Sequence, residues 1–422
     1  MGCAGAPLLT AQASYVTTCG YAMAERNREL KKGGEYNPEV MVSKFFGIFF
    51  FFFEVTQVLG NFISTAVLAT TSNATLYIPD GSLSNETRFY IDDNCGSTAL
   101  LAEKDETCPE PPPDKSRYIL VSVYIALGLV AMLLCFFFLD NIKIRSDTKD
   151  PAPKQLILNT ARHAWNDKKQ QLLIVLTMYS GFKQAFLAAD LTEGYIGCAL
   201  GTEWIGFILM GYGAIDSSMS WVAGKMGASL GGRFGRGYLL GVAFGIDIVL
   251  FTALLLWRPY PTSLVPFFWV AMLYGTSDAI FQTQLYTMYG VLFNDRTDAA
   301  FANFRFWEAL GFCISYGYSP ALDQKVKCYI MLGILLVAII GYSACEWLVS
   351  EEAAKQTDLD LEEEDRRKSL NVLTLPAPPT GDFGKLRAGS GQTFATQSDK
   401  ISAAGVTITL NEAFDDENEK SE

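Results

Sequence analysis

The sequence predicts an all-α polytopic membrane protein, and three observations carry that prediction. Half of its 422 residues are hydrophobic, 13 % are aromatic and only 18 % are charged. The apolar residues gather into blocks about 20 residues long, a length that at about 1.5 Å per residue crosses a hydrocarbon core of about 30 Å. The segments between the blocks separate into one that carries glycosylation sequons and cysteines, and others that carry lysine and arginine.

Nine candidate spans lie near 2–23, 45–68, 118–139, 171–190, 201–222, 238–256, 265–289, 301–320 and 328–349. The first is the weakest. "MGCAGAPLLTAQAS" has no basic start and makes a poor signal peptide, although "AQA" at 11–13 resembles a cleavage site. Ala6 stands where an N-acylation pattern wants Ser or Thr, so the opening "MGC" is a poor lipidation signal. The block reads as most of a span whose start precedes residue 1. The second span sets Phe49 to Phe53 directly before Glu54, which begins a polar stripe through Gln57, Asn61 and Ser64. Five consecutive phenylalanines cover more than one helical turn, so a lipid- or partner-facing wall must also send some rings into the bundle.

The long loop 70–117 follows that span. It holds sequons at Asn73 ("NAT") and Asn85 ("NET"), and Cys95 and Cys108 are spaced for a loop-closing disulfide. These features place the loop outside the cytoplasm. Arg26, Arg28, Lys31 and Lys32 between the first two spans, the basic run from Lys143 to Lys169 after the third, and Arg233 with Arg236 after the fifth mark the opposite side. By the positive-inside rule those segments are cytoplasmic. The chain then begins outside and ends inside. Beyond residue 350 the sequence turns acidic and rich in Ser, Thr, Gly and Pro, as a disordered cytoplasmic tail does, and "RRKS" makes Ser369 a candidate phosphorylation site. The net charge of −12 resides largely in this tail and the outer loop and points to no nucleic-acid partner.

Ionisable residues inside the spans carry the functional question. Glu54, Gln57, Lys183, Asp216, Asp247, Asp278, Arg305 and Glu308 should face protein or water, because a charge turned to lipid costs about 3 kcal/mol on insertion scales. They form either an ion or solute path or a set of interhelical bonds and local pairs, such as Arg305 with Glu308 one turn on. An internal repeat relates some of them. "LGNFIS" (59–64) aligns with "LGFCIS" (310–315), which sets Glu54 against Arg305 and Gln57 against Glu308.

Nothing in the sequence composes a catalytic centre, a metal site or a cofactor site. His163 stands alone in a basic loop, no cysteine pair has zinc spacing, and "GGRFGRG" lacks the Lys-Ser/Thr ending of a phosphate-binding loop. Cys3, Cys19, Cys135, Cys198, Cys313, Cys328 and Cys345 lie in or beside spans, where free cysteine acts as a small apolar residue.

The turn "LGGRFGR" (230–236), with Gly231, Arg233, Gly235 and Arg236, resembles the cytoplasmic loop motif of the major facilitator superfamily, except that Gly232 stands where the motif usually has Asp. That departure puts the motif's charge-relay role in doubt. "LYGTSDAIFQTQLYTMYGVLF" (273–293) followed by "AAFANFRFWEALGFCISYGYS" (299–319) resembles the signature region of the Unc-93 family of ion-channel regulators. "LLLWRP" (254–259), "YSGF" (179–182), "KFFGIFF" and "GAPLLTAQASY" are similar to the same family in the same order.

The resemblance implies a facilitator-like fold of twelve helices in two six-helix bundles, of which this shortened chain would hold helices four to twelve. Residues 1–139 would form a partial first bundle with a glycosylated outer loop, 140–170 a cytoplasmic linker, 171–349 a six-helix second bundle and 350–422 the tail. The second span would pack on the fifth, turning Glu54 toward Asp216, while Arg305 and Glu308 would face a helix the chain lacks. The function implied is that of a non-enzymatic accessory subunit of an ion channel, expected to be a potassium channel, more at the plasma membrane than at endomembranes. A secondary transporter of the facilitator type, or a trafficking chaperone for membrane receptors, are the alternatives. The partners expected are the lipid bilayer and a channel or other membrane protein.

Overall fold

The computed structural model describes residues 2–30, 37–71, 95–98, 114–139, 160, 162, 165–373, 401–403 and 406–408. Among these, nine long helices follow one another at the positions of the nine apolar blocks. They are α1 (Gly2–Glu29), α2 (Pro38–Thr71), α3 (Asp114–Phe138), α4 (Lys168–Ala185), α5 (Glu203–Ser229), α6 (Arg233–Leu256), α7 (Val265–Leu292), α8 (Thr297–Tyr318) and α9 (Gln324–Leu373). α4 runs on as a π-helical stretch, Phe186–Gly197, and a last turn, Cys198–Leu200. By length and composition five of these elements can cross a membrane: α2, α3, α4 with its extension, α6 and α9. Of the others, α5, α7 and α8 are diluted by the polar side chains they bury.

Small residues set the most extensive helix contact. Along α5, Gly213, Ser217, Ser220, Gly224 and Gly227 recur every three or four residues, which keeps them on one face. That face lies on α2, the contact expected between the second and fifth spans. A Cβ on Gly47 of α2 would stand 2.7 Å from the Gly224 Cα, so the two backbones touch where neither residue has a side chain. Ser217 Oγ donates to the Phe51 carbonyl at 2.8 Å and Ser43 Oγ to that of Gly224 at 3.3 Å. Hydroxyls that bond backbone in this way leave no polar group facing lipid. The phenylalanine run divides as its periodicity requires: Phe46 and Phe50 are buried, whereas Phe52 and Phe53 are exposed.

α7 is the central element. Every residue from Ser277 to Gly290 is buried, including Asp278, Gln282, Thr283, Gln284 and Thr287. It packs against α2, α5 and α6, and α8 packs against α4. α3 is the opposite case: its apolar span has no buried residue, and Tyr124 Oη donating to the Gly60 carbonyl at 3.0 Å ties it to α2.

Two expectations need correction. Cys95 pairs with Cys198, not with Cys108, which lies outside the described residues. A short 3₁₀ turn, Gly96–Thr98, follows Cys95, whose Cα stands 5.7 Å from that of Cys198 at the end of the α4 extension. Spacing within the loop suggested the local pair. The fold brings the loop to a cysteine that looked like an apolar span residue. The second correction concerns the tail. α9 continues to Leu373, well past the expected boundary at 350. Glu351 with Lys355 at 2.6 Å and Glu363 with Arg367 at 2.9 Å place acid before base at i, i+4, the spacing and order that support an exposed helix. Ser369 lies on this helix. The chain divides into units 1–356 and 357–422, and the second also holds a short antiparallel pair, Ile401–Ala403 with Val406–Ile408. Asn73, Asn85, His163 and nearly all of 140–164 lie outside the described residues.

Gly224→Val should lower the thermal midpoint of the detergent-solubilised protein, because overpacking a backbone contact costs roughly 1–3 kcal/mol. Gly245→Ala, which adds a Cβ with nothing within 4 Å in mid-helix, should not lower it and should raise it slightly. Non-reducing peptide mapping should recover a Cys95–Cys198 cross-link that survives Cys108→Ser and vanishes in Cys198→Ser.

Candidate functional site

A lysine inside a helical bundle needs anions, and the sequence places them on two neighbouring helices. Lys183 of α4 has no exposed side-chain surface. Its Nζ lies 3.1 Å from Asp247 Oδ1 of α6 and 3.6 Å from Asp278 Oδ1 of α7, and donates to Ser277 Oγ at 2.8 Å. Ser277 Oγ in turn donates to Asp247 Oδ1. Tyr179 Oη donates to the other Asp247 oxygen at 2.7 Å, and Tyr212 Oη of α5 to Asp278 Oδ2 at 2.9 Å. The Tyr274 and Phe281 rings stand over the ammonium at 5.3 and 5.7 Å. Four helices therefore supply one cluster.

Acid outnumbers base there. Asp216, buried on α5, receives Ser220 Oγ at 3.3 Å on one oxygen, while its Oδ2 has no hydrogen-bond partner. Glu54 lies within electrostatic reach of both Asp216 and Asp278, as the packing of α2 on α5 requires. Asp247 and Asp278 thus flank Lys183 directly, while Asp216 and Glu54 add two more carboxyl groups near Asp278.

A cavity of about 530 Å³ opens beside the cluster. Its lining includes Glu54, Gln57, Asp278, Gln282, Arg305 and Glu308. Both members of each repeat-related pair therefore reach the same space. Arg305 Nη1 bonds Glu308 Oε2 at 2.6 Å, the local pair foreseen as the simpler reading, and Glu308 Oε1 accepts from Ser180 Oγ at 3.0 Å. The guanidinium sits 5.2 Å from the Tyr286 ring centre. Asn61 donates to the carbonyl of Gln57 one turn back and Ser315 bonds Tyr318, both local contacts.

The turn motif holds the ends of three helices together. Gly231 and Gly232 take φ of 88° and 61°, backbone that favours glycine, and Gly235 packs on the Gly227 carbonyl. Arg236, fully buried, bonds Glu346 of α9 at 2.8 Å and also Glu39 of α2. Arg233 bonds the Glu346 carboxylate at 3.2 Å and its carbonyl at 3.1 Å, and Tyr342 Oη adds a bond at 2.9 Å. A Cβ on Gly232 would lie 3.0 Å from Glu39 Oε2. Glu39 therefore brings a carboxylate against Gly232, the position at which the resembled loop motif usually has Asp.

Sequence reasoning did not single out Glu39, Glu346 or a second buried pair. Lys327 Nζ lies 2.6 Å from Asp190 Oδ1, which also accepts from Ser319 Oγ at 2.7 Å. Asp190 lies in the π-helical stretch, and such stretches recur at functional sites. The signal was present, an acid at the end of one apolar block and a base at the start of another, but only the fold shows that they meet.

The helices, their buried ion pairs and the cavity define an integral polytopic membrane protein organised around intramembrane charge. The chain belongs to the Unc-93 family: the family model described as ion channel regulatory protein UNC-93 matches residues 42–343. It is 36 % identical over 377 residues to protein unc-93 homolog A of Xenopus laevis, covering 88 % of this chain and 77 % of the relative. The human protein unc-93 homolog A is also 36 % identical, over 357 residues, 83 % of this chain and 73 % of the relative. The putative potassium channel regulatory protein unc-93 of Caenorhabditis elegans is 26 % identical over 349 residues, 82 % of this chain and 47 % of the relative.

Lys183→Met should leave Asp247 and Asp278 without their counter-charge and destabilise the fold by about 3–5 kcal/mol, read as a lower thermal midpoint and a loss of monodisperse protein. The double variant Lys183→Met with Asp247→Asn should recover part of that loss.

Proposed function

We propose that the protein is a non-enzymatic regulatory subunit of an ion channel, and that the channel conducts potassium. The observation that carries this reading is the family match across residues 42–343, together with the likeness to a relative whose name describes potassium channel regulation. The geometry agrees with a regulator. The buried ions are engaged largely with one another, and α3 offers an apolar surface that this chain leaves open to a membrane partner. The Cys95–Cys198 bond supports an oxidising compartment at the end opposite the Arg233–Arg236 turn, with α9 ending in the cytoplasm. The plasma membrane is the proposed location, with glycans on Asn73 and Asn85 and phosphate on Ser369 as modifications.

The cavity favours one second reading, transport by alternating access, in which Asp278 and Glu308 would couple the movement of a proton or solute. Voltage clamp on cells expressing this chain, a background potassium channel, or both separates the two. A regulator changes potassium current only on co-expression, and Asp278→Asn with Glu308→Gln leaves that change intact when surface delivery is intact. A transporter produces flux without the channel and loses it in the same variants. A change in channel number with unit conductance constant would instead indicate a trafficking chaperone.

A further inference from the structure

Glu54 differs from every other acid around the cavity. Only 7 % of the residue is exposed, and its carboxylate meets the cavity, yet among the described residues no cation or hydrogen-bond donor engages it. Asp278 has Lys183 and Tyr212, and Glu308 has Arg305 and Ser180. The charged lining comprises the three acids Glu54, Asp278 and Glu308 against the single base Arg305, whose guanidinium is already held by Glu308. Lys183 does not redress the balance, because it stands closer to Asp247 than to Asp278. Burying an ionised carboxylate without a partner is unfavourable, so Glu54 is met either by a proton or by a cation, and the rest of the lining bears on which.

The shape of the lining narrows the class of cation. Among the described residues no three acidic, cysteine or histidine side chains converge as metal ligands do. A volume of about 530 Å³ is many times that of the one water, about 30 Å³, that a bare ion would displace. Rings of Phe49, Phe50, Phe53, Tyr212 and Tyr286 share the lining, and Phe50 meets Tyr286 edge-on with centroids 4.9 Å apart. Aromatic walls beside a carboxylate are the surroundings that recognise alkylated ammonium groups, through ring faces for the alkyl shell and a counter-charge for the nitrogen.

We infer that the cavity is a binding site for a monovalent organic ammonium ion, with Glu54 as its counter-charge and Phe50, Phe53 and Tyr286 among its walls. The site stands apart from the channel reading: a regulator with such a site senses an amine, and a transporter with it carries one.

The test is equilibrium binding of a fluorescent styrylpyridinium monocation to the full chain in detergent, followed by anisotropy. Saturable binding is expected, displaced by tetraethylammonium and not by an anionic dye. Glu54→Gln should weaken it at least about tenfold while Glu54→Asp retains most of it, as expected for loss of a desolvated charge contact. Ala309→Trp, which fills the cavity and leaves Glu54 in place, should abolish saturable binding, and it decides the matter if Glu54→Gln fails to fold. Dye binding that is equal in wild type and Ala309→Trp, or in wild type and folded Glu54→Gln, overturns the proposal. So does failure of tetraethylammonium to compete, the result for a carboxyl that merely takes up a proton.

Discussion

The ammonium of Lys183 constrains the rest of the bundle. It is buried completely, and its ligands come from α6 and α7, while the tyrosines that bond those ligands come from α4 and α5. Removing a charge from water costs several kcal/mol, and the mutual attraction of the ions offsets this only when the geometry is good and the remaining oxygens are bonded. Lys183, Ser277, Asp247 and Tyr179 meet this condition as one connected set. The helices that carry them cannot slide or rotate by a turn without stranding a charge, so the cluster specifies register more than it adds stability. The apolar contacts around it, from Phe186 against Phe251 to Tyr274 against Phe251, fill in a position that the ions define.

The two ends of the bundle are closed by different chemistry. At one, the Cys95–Cys198 bond joins the loop after α2 to the extension of α4. Gly96 there sits tightly on Pro259, beside Trp257, which stacks on Tyr195. At the other, Arg236 and Arg233 collect carboxylates from α2 and α9. A covalent link suits an oxidising compartment. Ion pairs, unlike a covalent link, can be broken and remade as helices move.

The helices were legible because the membrane leaves little choice: a block of about 20 apolar residues must satisfy its own backbone bonds. The identity of the inward residues was legible for the same reason, and Glu54, Asp216, Asp247, Asp278 and Lys183 all prove to be buried. What composition could not supply was pairing between distant blocks. Cys198 looked like any cysteine of a span, and Lys327 was not singled out, because neither sequence neighbourhood contains its partner. The acidic tail misled for a different reason. High charge and few large apolar residues usually mean disorder, but this tail begins with charges ordered at i, i+4, which extend a helix already nucleated in the membrane.

Glu39 supplies a carboxylate to the Arg236 turn from a different helix. Gly232 removes the side chain that would carry a carboxylate in the turn, and its backbone at φ 61° is poorly suited to any residue with a Cβ. The space that a Cβ would enter is bounded by the Glu39 carboxylate, and that carboxylate bonds Arg236, which also bonds Glu346. The anion thus comes from α2 rather than from the turn itself. An aspartate in the turn would move rigidly with α6, whereas Glu39 belongs to a separate helix. Its bond to Arg236 must therefore stretch or break whenever α2 and α6 separate at this end. The contact therefore joins two helices rather than two parts of one turn, and it lies on the same α2 that carries Glu54 to the cavity.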